Sequence, residues 1–214
     1  MLKKRIDTLA SLAKGYARIA DIGCDHGYTI KLAIEKYDVK YAYAIDINEK
    51  PLEKAKETLK KAALQSKVSF FLGDGLSGFT GNFDCAIISG MGGRLIEGIL
   101  EKSQAKFLGK ALILEPQSEN YLVRKWLMAN GFKIELELAL MENGKYYEII
   151  KAIPGKMELD SLDLKYGPFL RREKNEAFIK HYEALANKLN NAYLKSNKNN
   201  NLLKEIEEIK KLLA

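Results

Sequence analysis

The chain has 214 residues, 47% hydrophobic and 29% charged, enough for one main core with an appendage and too few for two full domains. The formal net charge of +7 favours an anionic partner such as nucleic acid, although solvated lysine faces give the same sign. Cys24 and Cys85 are too far apart to suggest a disulfide framework or zinc knuckle, and no apolar run reaches membrane-spanning length. Asp7, Thr8, Ser11 and Lys14 also break up the basic start as a secretory core, so a soluble cytoplasmic protein without metal is expected.

Leu2, Ile6, Leu9 and Leu12 stand at helical spacing and predict an amphipathic helix over residues 2–14. Strand-like runs follow at 18–22, 41–45, 68–72, 83–88 and 111–114, with helical patterns reaching to Tyr37, Leu64, Leu100 and Asn130. This alternation predicts a doubly wound parallel sheet. Gly131 is placed to cap a helix, and beyond it the runs 132–140 and 145–152 flank Asn143-Gly144, a hairpin signal. Parallel units closed by an antiparallel hairpin fit the seven-stranded, Rossmann-like sheet of class I methyltransferases better than an all-parallel dehydrogenase sheet.

After Pro154-Gly155 the composition turns to Asn, Lys and Glu. A boundary there divides a domain of residues 1–155 from a helical tail of residues 156–214. Phe178, Tyr182, Leu185, Leu189 and Ala192 step by four and three, and Leu202, Ile206, Ile209 and Leu213 repeat the pattern. The polar run 196–201 between them predicts an antiparallel, coiled-coil-like hairpin. The tail has twelve Lys and Arg against nine Asp and Glu, a modest excess. It could hold RNA or make a weak dimer of an otherwise monomeric chain.

The segment ADIGCDHGYTI, residues 20–30, puts Gly23 and Gly27 in the first strand-to-helix turn, where backbone N–H groups can face a ligand. A nicotinamide fingerprint has glycine where this chain has Asp25, because the pyrophosphate comes against that position. Asp21 and Asp25 would repel a diphosphate. They suit S-adenosyl-L-methionine, which has no phosphate and carries a cationic sulfonium and an amino group. Asp46, 23 residues after Gly23 at the end of the second strand, is placed to accept hydrogen bonds from ribose hydroxyls. Asp74 ends the third strand in LGDGL, and Gly90, Gly92 and Gly93 follow the fourth in SGMGG. Ile47, Gly75 and Met91 adjoin these positions and complete the candidate cofactor set. The Asn/Asp-Pro-Pro-aromatic motif of most exocyclic-amine methyltransferases is missing.

ADIGCDHGY, GDGL, SGMGG, LILEPQ and ENGKYYEI, in that order, closely resemble the bacterial tRNA adenine-22 N1-methyltransferases. The resemblance covers about residues 2–152; in the tail only YGPFL is similar. It implies a class I enzyme that uses S-adenosyl-L-methionine, methylates N1 of adenine 22 in the tRNA D-loop, and holds the tRNA with its helical tail. By position it implies the methionine-side turn for Gly23, Asp25 and Gly27, the ribose contact for Asp46, the adenine contact for Asp74, and the wall beside the methyl for Gly90 to Gly93.

N1 of adenine has a free lone pair, so the transfer needs positioning more than activation. A carboxylate near the exocyclic amine could accept a proton or hydrogen bond as charge develops on the ring. Asp25 is the first candidate and His26 the second, although Asp25 could serve only the cofactor and His26 could be a local cap. Tyr28 lines a base slot or packs in the core, and Gln117 contacts the base edge or forms a turn. Arg94 and the cluster Lys3-Lys4-Arg5 are candidate phosphate contacts, and Trp126 is assigned to the core. Cys24, His26 and Cys85 lack a fourth partner for a metal. The rival readings are a methyltransferase with another RNA or small-molecule acceptor, and an RNA-binding module without catalysis.

Overall fold

The computed structural model describes residues 4–196 and 199–214. The expectations for Leu2, Lys3, Asn197 and Lys198 lie outside them. Seven strands form one sheet: β1 (Arg18–Ile22), β2 (Tyr41–Asp46), β3 (Val68–Leu72), β4 (Cys85–Met91), β5 (Ala111–Pro116), β6 (Phe132–Glu142) and β7 (Lys145–Pro154). Their spatial order is β3-β2-β1-β4-β5-β7-β6. The first five are mutually parallel, and β7 runs antiparallel to both β5 and β6. This is the expected class I methyltransferase sheet, and its order reverses between β1 and β4, where such sheets open a ligand crevice.

Each face of the sheet is covered, which is why the central strands read as continuous apolar runs; every residue of β5 is buried. On one face α1 (Lys4–Leu12), α2 (Tyr28–Lys36) and α3 (Glu49–Lys61) bury Leu9, Leu32, Leu52 and Leu59 against Ile19, Ile87 and Ile113. On the other, α4 (Gly93–Lys102), the short α5 (Gln104–Phe107) and α6 (Asn120–Ala129) bury Ile96, Phe107 and Leu127 against Ile22, Ile88 and Leu112. Trp126 is in this second core, 4% exposed, with its indole N–H donated to Glu101. At the hairpin, Asn143 (φ 51°) and Gly144 (φ 75°) give left-handed residues between the paired Glu142 and Lys145, the geometry that suits the twist of a two-residue turn.

Among the described residues the tail contains four helices, of which the sequence pattern indicated two. α7 (Ser161–Tyr166) starts with a capping box between Asp160 and Asp163, and α8 (Leu170–Glu173) follows it. The foreseen pair, α9 (Glu176–Lys195) and α10 (Asn200–Leu213), pack on each other. Tyr166, Leu170, Phe178, Tyr182 and Ile209 form a third core with Ala139 of β6. The seam therefore faces inward at Phe178 and Tyr182, whereas Ala192 near the end of α9 is exposed.

A buried ionic cluster joins tail to sheet. Arg124 of α6 is fully buried; its Nε donates to Glu137 at 2.7 Å and its Nη2 to Glu148 at 2.6 Å. Nη1 donates to the carbonyls of Leu164 and Lys165 in α7, and Glu137 accepts the Phe169 N–H at 3.0 Å.

Candidate active site

A cavity of about 340 Å³ opens at the carboxyl ends of β1, β2 and β4. Its floor is the turn after β1, held by Gly23 and Cys24 N–H groups donating to the Ile45 carbonyl of β2. Gly23 (φ 77°), Asp25 (φ 44°) and Gly27 (φ 70°) all have left-handed backbone, which favours Gly and is tolerated by Asp. A Cβ on Gly23 would lie 2.1 Å from the Met91 Cε, so the glycine leaves the room through which Met91 reaches the turn.

The cavity is acidic. Asp21 is 2% exposed, and burial, followed by the nearby Asp46 and Asp25 carboxylates, pushes its pKa up to about 7. Asp46 is also buried and accepts the Asn48 N–H at 2.9 Å. Among the described lining residues the one Lys or Arg, Arg5, is already neutralised: its Nη1 donates to the buried Glu115 at 2.7 Å. The same Glu115 oxygen accepts the Gly90 N–H at 2.7 Å, tying α1 to the glycine turn. Burial raises the Glu115 pKa against the opposing pull of Arg5. A diphosphate would meet carboxylates here and find no free guanidinium, whereas a phosphate-free cation is attracted.

Asp21, Gly23, Asp25, His26, Asp46, Gly90, Met91, Tyr28 and Gln117 all line this cavity. Ile47, Asp74, Gly75, Gly27 and Gly92 lie outside it. Ile47 is exposed and Asp74 is paired with Lys102 at 2.8 Å. Gly27 accommodates helix packing, since a Cβ there would sit 3.1 Å from that of Ala55. Gly93 does the same for the 117–119 segment; a Cβ would come within 2.4 Å of the Glu119 carbonyl. Two candidate phosphate contacts are engaged otherwise, Arg5 inside the cavity with Glu115 and Arg94 with Glu119 at 3.1 Å.

His26 precedes Gly27, the N-cap residue of α2. Its Nε2 lies 3.7 Å from the Asp25 carboxylate and its ring stacks on Tyr28 with centroids 5.7 Å apart. Tyr28 is 42% exposed, which removes it from the core. Cys24 and Cys85 are free and buried, and among the described residues no group of three His, Cys, Asp or Glu side chains is arranged for a metal. The Glu115 anchor and the Arg124 cluster are what the sequence reading missed. LILEPQ contained the signal for Glu115, a carboxylate one residue beyond a fully apolar run.

Strand order, an acid-lined crevice at the order reversal and a glycine turn under it together define a class I methyltransferase that uses S-adenosyl-L-methionine. A family model described as tRNA (adenine(22)-N(1))-methyltransferase matches residues 19–214, and the chain belongs to that family. The tRNA (adenine(22)-N(1))-methyltransferase of Bacillus subtilis is 37% identical over 189 residues, 85% of this chain and 79% of its own. Streptococcus pneumoniae Sp1610 in complex with S-adenosyl-L-methionine superposes with a TM-score of 0.92 at 34% identity over the whole of both chains. Mycoplasma capricolum TrmK with S-adenosyl-homocysteine gives 0.87 at 28% identity, covering 100% of this chain and 98% of that one.

Proposed function

We infer that the protein methylates N1 of adenine 22 in tRNA with S-adenosyl-L-methionine. The single observation that carries this is the acid-lined cavity at the ends of β1, β2 and β4, in a chain of this family. S-Adenosyl-L-methionine supplies an electrophilic methyl on a cationic sulfur. Asp21, with Asp25 beside it, holds the cationic end over the Gly23 turn; Asp46 accepts hydrogen bonds from the ribose hydroxyls, and Asp74, Gly75 and Ile47, which lie outside the cavity, are assigned to the adenine by their position in the family. Gly90 and Met91 form the wall beside the methyl. As the N1–methyl bond forms and the sulfur–methyl bond breaks, positive charge moves onto the base. Asp25, backed by His26, is assigned to take a hydrogen bond or proton from the exocyclic amine. Because N1 is on the pairing edge, the base reaches the cavity out of its stack.

Reverse transcription across a tRNA transcript treated with the enzyme and cofactor tests the assignment. A stop at adenine 22, lost when that base is replaced, is the expected result; a stop elsewhere gives another acceptor. Asp46→Ala should weaken cofactor binding by about 1.5–3 kcal/mol, the worth of charge-assisted hydrogen bonds. Calorimetry showing wild-type affinity would take Asp46 out of the site.

The tail, residues 156–214, is assigned to tRNA binding. Lys188 and Lys195 are exposed on α9. Replacing both by Glu should weaken tRNA binding at low salt, with the difference shrinking as salt rises, and leave cofactor affinity alone. Unchanged tRNA binding together with a change in sedimentation would assign that helix face to self-association.

A further inference from the structure

A second cavity, of about 770 Å³, lies at the same edge of the sheet, between β7 and the tail helices α7 and α9. Its volume is within the range of about 300–1,000 Å³ usual for small-molecule sites. Gln117 lines both this cavity and the cofactor cavity. The cofactor roles assigned above do not use it.

Its wall is aromatic. Tyr146 of β7 and His181 of α9 stack face to face, centroids 4.0 Å apart and planes within 9°. Tyr182 meets both rings edge-on. The Tyr146 hydroxyl is buried without a well-formed hydrogen bond. Burial lowers the His181 pKa from its ordinary value, keeping the ring neutral near pH 7. The charges around it are matched: Glu148 accepts from Arg124 and Asn120, and Lys165 is paired with Glu208 at 2.7 Å. Among the described lining residues no cation is left over for a phosphate, so flat polar-edged rings fit better than the RNA backbone.

We propose that this cavity receives a purine base of the RNA, its face against the Tyr146–His181 pair and its edge toward the amides of Gln117 and Asn120. A side-chain amide oxygen can accept from the exocyclic amine of adenine while the N1 lone pair stays free to attack the methyl. The shared Gln117 sets the base beside the methyl donor. This rests on the RNA substrate assigned above.

The chain has two histidines, His26 and His181, so their imidazole NMR signals can be assigned with one variant each. Adenosine monophosphate is titrated, to its solubility limit, into the full chain saturated with S-adenosyl-L-homocysteine. The His181 signals should shift, and by more than those of His26. Shifts at His26 alone would place the base on the His26–Tyr28 stack and overturn the proposal, as would no shift at either. His181→Leu should lower kcat/KM for tRNA by about 5- to 150-fold, the usual worth of one base-stacking ring, with S-adenosyl-L-homocysteine affinity unchanged and His181→Phe restoring the rate. Wild-type kcat/KM in His181→Leu would also sink it. A wild-type enzyme that shifts at His181 yet never methylates tRNA would count against the reaction and in favour of the slot.

Discussion

Arg124→Ala should cost about 3–5 kcal/mol of unfolding free energy, the largest stability loss expected of a single substitution here. The guanidinium is fully buried between Glu137 and Glu148, and its removal leaves two desolvated carboxylates facing each other. Burial already holds the Glu137 pKa above its ordinary value despite Arg124. Without the cation that pKa rises further, and a carboxyl raised in the folded state loses stability as pH increases through it. The variant should therefore be weaker, relative to wild type, at pH 8.5 than at pH 5.5. Combining Arg124→Met with Glu137→Gln and Glu148→Gln should recover much of the loss, since apolar or neutral groups need no counter-charge. Urea unfolding measures all three effects, and a deficit under about 1 kcal/mol would show that water or motion relieves the cluster.

Asp21→Asn should act in opposite directions on stability and on binding. The wild-type carboxyl, pushed up to about 7, contributes its full share of stability below its ordinary range near pH 4 and loses it as pH rises to 7. The asparagine has no proton to lose. The two stability curves should coincide at low pH, diverge between about pH 4 and 7, and run parallel above with the variant ahead by ~4 kcal/mol at most. Cofactor affinity moves the other way: the ionised Asp21 attracts a cation, so the variant should bind S-adenosyl-L-methionine at least about tenfold more weakly at pH 8, the gap narrowing toward pH 6. Thermal unfolding and calorimetry across that range give both curves. Parallel stability curves, or equal affinities at pH 8, would mean the carboxylate is not strained for the cofactor's sake. Natural sites often trade stability for function in this way.

The sheet was legible because its signals are local and redundant. Apolar runs of strand length, glycine in the turns after β1, β3 and β4, and Asn143-Gly144 at the hairpin all point to one architecture. The carboxylates at strand ends were legible for the same reason, and Asp21, Asp25 and Asp46 do meet in one cavity. Asp74 shares their spacing and lies outside it, paired with Lys102, because spacing fixes a strand end and not the direction a side chain takes from it.

Glu137 was illegible for a specific reason. In FKIELELALME strict alternation from Ile134 puts Leu136 and Leu138 inward and Glu137 outward. A β-bulge between Ile134 and Leu136 adds one residue, so Glu137 pairs with Ile150 and turns inward to Arg124. A bulge reverses every later side chain, and a single sequence does not mark it. α7 and α8 escaped because, at six and four residues, they are too short to establish a period.

The two thiols offer a built-in clock. Burial raises both their pKa values above the usual thiol range, so alkylating reagents meet neither access nor thiolate in the intact fold. Cys85 sits mid-sheet, paired across to Ile19 and Ala111, and is modified only when the whole sheet comes apart. Cys24 lies on the floor of the cavity, where opening of that one turn would expose it. The ratio of the two labelling rates thus separates a local opening from a global one, and a nucleoside lodged over that turn would slow the first while slowing the second only as far as its binding stabilises the whole fold.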